Sequence, residues 1–502
     1  METRSPWLIG YERHATTRLV SDEPYDIAIV GAGIAGISAA YHLRSFGAKV
    51  ILIEGRTVLS GVTGHTTGKL TAQHQLVYHS LTKEHGADFA GMYAAANLWA
   101  IDFVRNFGCE CDFRDEPACV FASEPDDVEA LEREFEACVD ADLPVRLLTS
   151  DEVPVPSFGG LRMEGQASFH PVNFLDRLLR KALTNGVRLT ESCRATAVEE
   201  AKSFCLVRTN QGVIRADHVV IATHYPIEDS GWFVAKLAPY RSYATAFRLK
   251  DDPPVGVYIS SSEPMRSFRR MREGKEDLLI VGSGHHRVGQ EADPNMNFRD
   301  IEYWARSNFN VEDVVHRWST QDNWTPDGLP FIGVSPHRKR TFVATGFGGW
   351  GMTTGLIAGK VIAELIRDGE SPWARLYDPN RSTLLHLSTG IKENLQSAKH
   401  LIGDRIKSAD VGSADEVMAG MGAIVQLEHA RIALSRDASG EPCALSPVCP
   451  HMRCQVAWNE AESTWDCPCH GSRFARDGAV LHGPAVEPLA PVDLVSGKAL
   501  GE

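Results

Sequence analysis

The sequence predicts an α/β (α+β) architecture that ends in a small all-β domain, and three observations carry that reading. Across residues 25–377, strand-like and helical patterns alternate. Across residues 380–406, Leu384, Leu387, Ile391, Leu395, Ala398, Ile402 and Ile406 recur every three or four positions, the spacing of one amphipathic helix. Across residues 413–502, short β-rich runs (423–427, 431–435, 464–467) alternate with Gly and Pro turns. The expected organisation is an N-terminal extension (1–24), an α/β block (25–377), a helical connector (378–412) and a C-terminal β domain (413–502).

Composition narrows the function classes. At 502 residues, 43% of them apolar and 23% charged, the chain can bury several cores. A formal net charge of −14 speaks against nucleic acid and anionic membranes as partners, because a phosphate footprint needs clustered Lys and Arg. The apolar stretch 27–43 is broken by glycines and reads as strand–turn–helix, not as a membrane span. No apolar leader with a small-residue cleavage site opens the sequence, so a cytoplasmic location is expected. Six cysteines (Cys109, Cys111, Cys119, Cys138, Cys193, Cys205) are scattered, whereas Cys443, Cys449, Cys454, Cys467 and Cys469 crowd together, a pattern that points to a metal centre. Cys109 and Cys111 are either a lone redox pair or inert thiols; the absence of a second pair nearby favours the inert reading.

The α/β block opens on a phosphate cradle. Residues 26–36 read D-I-A-I-V-G-A-G-I-A-G, an apolar strand running through three glycines into a helix. Gly31 permits the tight turn, Gly33 lets the backbone approach a pyrophosphate, and Gly36 lets the helix pack close to the sheet. A second strand follows and ends in Glu54, where a carboxylate holds ribose hydroxyls. The competing reading, a glycine-rich turn in an unrelated α/β protein, fits this context poorly. Further on come A-D-H-V-V-I-A-T at 216–223, W-T-P-D-G-L-P-F-I-G at 324–333 and G-F-G-G-W-G-M-T-T-G at 346–355.

Together these four segments resemble the D-amino-acid-oxidase/glycine-oxidase family of flavoenzymes. The resemblance implies FAD, with nucleotide-binding parts near 25–75, 160–230 and 321–377 and β-rich substrate parts near 76–159 and 231–320. It places Thr223, Gly346, Gly348, Gly349, Trp350, Gly351 and Met352 at the cofactor, the last turn bringing N–H groups to the flavin ring. Residues 60–69 (S-G-V-T-G-H-T-T-G-K) look like the segment of dimethylglycine and sarcosine dehydrogenases that bonds a histidine to the flavin. His65 falls on that position, with Thr66 and Lys69 beside it, but Gly64 stands where that motif has Trp. A covalent His65 and one that only lines the flavin both stay open. Family members that take amino acids clamp the carboxylate with Arg and Tyr. Tyr240, Arg241, Tyr243, Tyr258, Arg269, His285, His286 and Arg287 are the candidates, with His285 and Tyr258 ranked first as catalytic residues because strand-like runs (255–259, 278–281) present them at their ends.

The second constellation is Cys449-Pro-His451, then Cys467-Pro-Cys469-His470-Gly-Ser472. Two Cys and two His also suit zinc. The sequence context instead resembles a Rieske [2Fe–2S] domain over residues 413–495, which implies Cys449, His451, Cys467 and His470 as cluster ligands. The resemblance further implies a Cys454–Cys469 disulfide of the cytochrome bc type and a Ser472 hydroxyl aimed at a bridging sulfide. Phe474 takes the place of that type's Tyr, so one hydrogen bond to sulfur is lost and a lower potential is expected.

The combined expectation is a dehydrogenase that oxidises a small amine or amino acid by hydride transfer to FAD. Electrons would leave singly through the cluster to an external one-electron carrier. Two alternatives stay open: an oxidase using O2 with an auxiliary Rieske domain, and a reductase in which the cluster feeds FAD. A Rieske oxygenase needs a mononuclear iron site downstream of His470, and too little chain remains for one.

Overall fold

The computed structural model describes residues 5–17, 19, 23–289, 293–381, 410–427 and 430–494. The predicted connector helix lies almost wholly outside them. Two large sheets and a small C-terminal β domain follow the sequence pattern. The first sheet has eight strands, with Tyr25–Val30 between Gly212–His224 and Val50–Ile53, both parallel to it. Tyr25–Val30 and Val50–Ile53 are almost wholly buried, which explains their unbroken apolar runs. Helix Ile34–Ser45 packs against helix Gly351–Asp368, and Ser38 Oγ donates to Leu356 O at 2.9 Å to pin the crossing.

The second sheet also has eight strands, in the order Val311–Trp324, Ala238–Leu249, Glu276–Arg287, Ser267–Glu273, Val257–Ser260, Ala118–Phe121, Gly160–Met163 and Val145–Leu148. Its long central strands carry Phe247, Leu279, Val281 and Phe268 into a core that helix Pro294–Asn308 covers with Phe298, Ile301 and Ala305. The ladder between Ala238–Leu249 and Glu276–Arg287 slips between Arg241 and Tyr243. Such a bulge re-aims successive side chains. The C-terminal domain is all-β: a three-stranded sheet (Gly422–Gln426, Arg431–Arg436, Pro442–Leu445) and a four-stranded one (Ala457–Asn459, Thr464–Asp466, Arg473–Phe474, Val480–His482). No described helix is long and apolar enough to cross a membrane.

Candidate active site between the flavin and cluster modules

The nucleotide end is built by close backbone approach. A Cβ on Gly31, whose φ is +105°, would stand 2.4 Å from Ala222 O on the neighbouring strand. A Cβ on Gly36 would stand 1.8 Å from Gly31 O, so only glycine lets the helix begin on the turn. Glu54 accepts the N–H groups of Ala32 (2.9 Å) and Arg56 (2.8 Å), and burial raises its carboxyl above the usual range. Gly31, Gly33, Glu54, His65, Thr66, Lys69, Thr223, Gly348, Gly349, Trp350, Gly351 and Met352 line one cavity. Gly36 and Gly346 support it from behind. This glycine cradle, with a carboxylate and a helix N-terminus facing it, fits an FAD.

The far end is aromatic. Trp350 stacks on His74 at 4.3 Å, and Lys69 Nζ lies 5.9 Å from the Trp350 ring centre. Burial, aided by Arg269, pulls the Lys69 ammonium down to about 7. His65 Nδ1 lies 2.8 Å from Gly61 O, which makes Nδ1 the protonated nitrogen and leaves Nε2 with its lone pair. Its main chain is held by Trp318 Nε1, which donates to His65 O at 2.9 Å.

The substrate-side candidates divide. His285 lines the cavity, its ring stacked on Tyr240 at 4.5 Å and edge-on to Trp324 at 5.2 Å. Burial lowers its pKa, so it is held neutral. Tyr258 is corrected: its ring stacks on Phe268 at 4.6 Å and its hydroxyl donates to Val255 O at 2.9 Å, a core tyrosine away from the cavity. Arg241 is no carboxylate clamp either, because its guanidinium leaves the cavity for Glu462 and Asp466 of the C-terminal domain. Arg269 is spent on backbone carbonyls, donating to Thr67 O (2.5 Å) and Arg270 O (2.7 Å). Of the remaining candidates, Tyr243 borders the cavity in the strand, but its ring packs away from it on Phe298 (5.0 Å) and His286 (5.7 Å), and Arg287 is buried off the wall. Sequence reasoning missed Asp322. It lines the cavity with Thr320 and Trp324, the alternate residues of one strand face, and burial pushes its carboxyl up to about 6. A lone acid on the inward face of a buried strand was the available signal.

The cluster loops converge as the spacing requires. Cys449 and Cys467 are buried, and the rings of His451 and His470 meet edge-on at 5.1 Å. The Cys449 thiol is drawn down to about 7, first by the neighbouring Cys467 thiol and then by N–H and hydroxyl donors that include Ser472. Cys454 and Cys469 form a disulfide 15 residues apart, tying the two loops together. The sulfurs of Cys454, Cys467 and Cys469 lie within 4.8 Å of one another, but the disulfide leaves only Cys467 of the three as a ligand. His470 Nδ1 is buried without a hydrogen-bond partner, as a nitrogen aimed at iron should be. Ser472 Oγ accepts the Ala485 N–H at 3.0 Å, and Phe474 is fully buried in the same core. The donor set fits a Rieske cluster.

The two modules share the cavity wall. Leu481, His482, Gly483, Ala485 and Val486 line it beside the glycine cradle. Arg56 donates to Leu481 O at 3.1 Å and Arg194 to Val480 O at 2.9 Å. Gly289 lies so close to the cluster loop that a Cβ there would stand 2.2 Å from Pro468 Cβ. Gln321 donates to Gly471 O at 3.0 Å. Tyr225 lines the cavity and meets the His470 ring edge-on, with 6.5 Å between ring centres.

The comparisons agree with this division. Residues 26–365 match the model described as FAD dependent oxidoreductase, and residues 407–493 match the Rieske [2Fe-2S] domain. The Rieske 2Fe-2S iron-sulfur protein YhfW of Bacillus subtilis is 32% identical over 498 residues, covering 97% of each chain. Glycine oxidase from Geobacillus kaustophilus shares the fold at a TM-score of 0.61 and 20% identity, covering 72% of this chain and 99% of that one. L-proline dehydrogenase from P. horikoshii matches at 0.61 and 21% identity, with 72% and 98% covered. The chain therefore belongs to the FAD dependent oxidoreductase family and carries a Rieske [2Fe-2S] domain at its C-terminal side.

Proposed function

We propose that this chain oxidises a small amine or amino acid at a bound FAD and that the flavin exchanges electrons with the Rieske cluster. Bound in the cavity, FAD supplies a hydride acceptor, and the cluster supplies a one-electron centre. The observation that carries the proposal is the shared wall: Tyr225 faces the cavity on one side and the ligand His470 on the other. The chain's own residues hold that geometry. Gly289 and Gly471 allow backbone contact between the modules, and Arg241, Arg473, Glu462 and Asp466 form a charge lattice between them. His285, held neutral by burial, borders the space where the reacting amine would sit.

A second reading has the flavin reoxidised directly by O2, with the cluster auxiliary. The names of the structural relatives favour it, since oxidases outnumber dehydrogenases among them. Anaerobic stopped-flow mixing with an amine and amino-acid panel separates the two. Flavin bleaching followed by loss of the oxidised cluster's visible bands supports exchange. Bleaching with an unchanged cluster, and one peroxide per substrate in air, supports the oxidase.

A further inference from the structure

We infer that Asp322 anchors the substrate's ammonium group and that this site selects amines by their positive charge, without a carboxylate clamp; the inference rests on the amine-oxidising reading above. Asp322 sits in strand Val311–Trp324 beside Tyr240, the residue whose ring stacks on His285. It faces the cavity between Thr320 and Trp324, and the Gly349 N–H is the hydrogen bond that holds it. Among the described residues no Lys, Arg or His forms an ion pair with it.

The guanidinium groups that could receive a carboxylate are committed elsewhere. Arg241 pairs with Glu462 and Asp466, Arg266 with Asp300 at 2.8 Å and with Ser283, and Arg269 with main-chain carbonyls. Arg56 and Arg194 do line the cavity, but at the Glu54 end, where each holds a C-terminal-domain carbonyl. Among the described residues, the cavity's substrate side thus offers the uncompensated Asp322 carboxylate beside the Trp324 ring, and both attract a cation. Lys69 stands over the Trp350 ring and, among the described residues that line this side, is the cationic group a carboxylate would have to use.

The test uses the FAD-loaded, cluster-loaded chain and two probes of one shape and opposite charge. tert-Butylammonium has no α-hydrogen, so it binds without being oxidised; pivalate is its anionic counterpart. Binding is read from the perturbed flavin spectrum. The expected result is that tert-butylammonium binds and pivalate does not compete. Asp322→Asn should weaken the ammonium roughly 10–100-fold, the scale of one charge-assisted hydrogen bond, and Asp322→Glu should restore part of it. Equal binding of pivalate, or an Asp322→Asn affinity equal to the parent's, overturns the inference. If Asp322→Asn fails to fold, the two-probe comparison on the parent chain decides alone. Should no amine reduce the flavin while tert-butylammonium still binds through Asp322, the functional reading fails and the anchor stands.

Discussion

His224 and His482, 258 residues apart in the chain, share a hydrogen bond of 2.9 Å between Nδ1 and Nε2 on the cavity wall. Burial holds both imidazoles neutral: it takes His224 down to about 4 and pushes His482 well below the ordinary histidine value, with His224, Arg473, Arg241 and Arg56 adding to the shift. One ring donates and the other accepts, so each needs the other. His482→Ala leaves His224 with Asn323 as its neighbour and a hole at the junction. Cluster reduction should slow relative to flavin reduction in anaerobic stopped-flow, and equal slowing of both would show a wider collapse of the site.

Gly289 tests the docking without touching the cavity. Its φ is +82° and an added Cβ meets Pro468 at 2.2 Å, so Gly289→Val must push the cluster loop away. Substrate should still bleach the flavin at the parent rate, whereas electron exchange with the cluster falls several-fold. The readout is the cluster's visible band, followed separately from the flavin's.

The disulfide should carry stability in its own right. Closing a loop of 15 residues stabilises by about 3 kcal/mol in the chain-entropy model. Cys454→Ser is expected to lower the unfolding free energy read from loss of cluster colour in denaturant by about that amount, while the flavin transition moves little.

Glu134 makes stability depend on pH. It is fully buried on helix Val128–Asp140, and its carboxylate caps the helix Val77–His85 by accepting Tyr78 N–H and His79 N–H, both at 2.8 Å. Burial raises its pKa from 4.5 to about 7. The folded state therefore holds the proton more tightly than the unfolded one. This contribution is fully present below about pH 4.5 and is lost as pH rises through about 7, a change of about 3 kcal/mol. Glu134→Gln should flatten that part of the unfolding profile, which denaturant titrations across the range would show.

Covalent attachment has a direct assay. His65 lines the cavity with Nδ1 held by Gly61 O, so Nε2 is the nitrogen free to bond a flavin. A covalent bond predicts yellow colour that stays on the denatured polypeptide and vanishes in His65→Ala. Complete release of colour from the parent chain rules it out.

Much of this was legible before any coordinates. The Gly31–Glu54 cradle and the four candidate cluster ligands are local motifs, in which spacing along the chain already brings the residues together in space. The substrate wall was not. Tyr258 sits on a four-residue strand buried on both faces, so alternation could not say which side met the cavity. Arg241 could not be told apart from the other clamp candidates, because the ladder slips beside it and its partners, Glu462 and Asp466, come from another domain. Asp322 was passed over for a related reason: its neighbours along the chain, Gln321 and Asn323, turn to Gly471 and His224 instead.

The wall formed by residues 481–486 sets an order of assembly. On the ribosome, the glycine cradle emerges first and the strip that closes it emerges some 430 residues later by chain position, since Glu54 and His482 border the same space. A nascent chain can offer FAD only an open trough. The closed chamber is complete only once the cluster domain sits on the cradle, so a chain that folds without iron is expected to release FAD more readily on gel filtration than the cluster-loaded one.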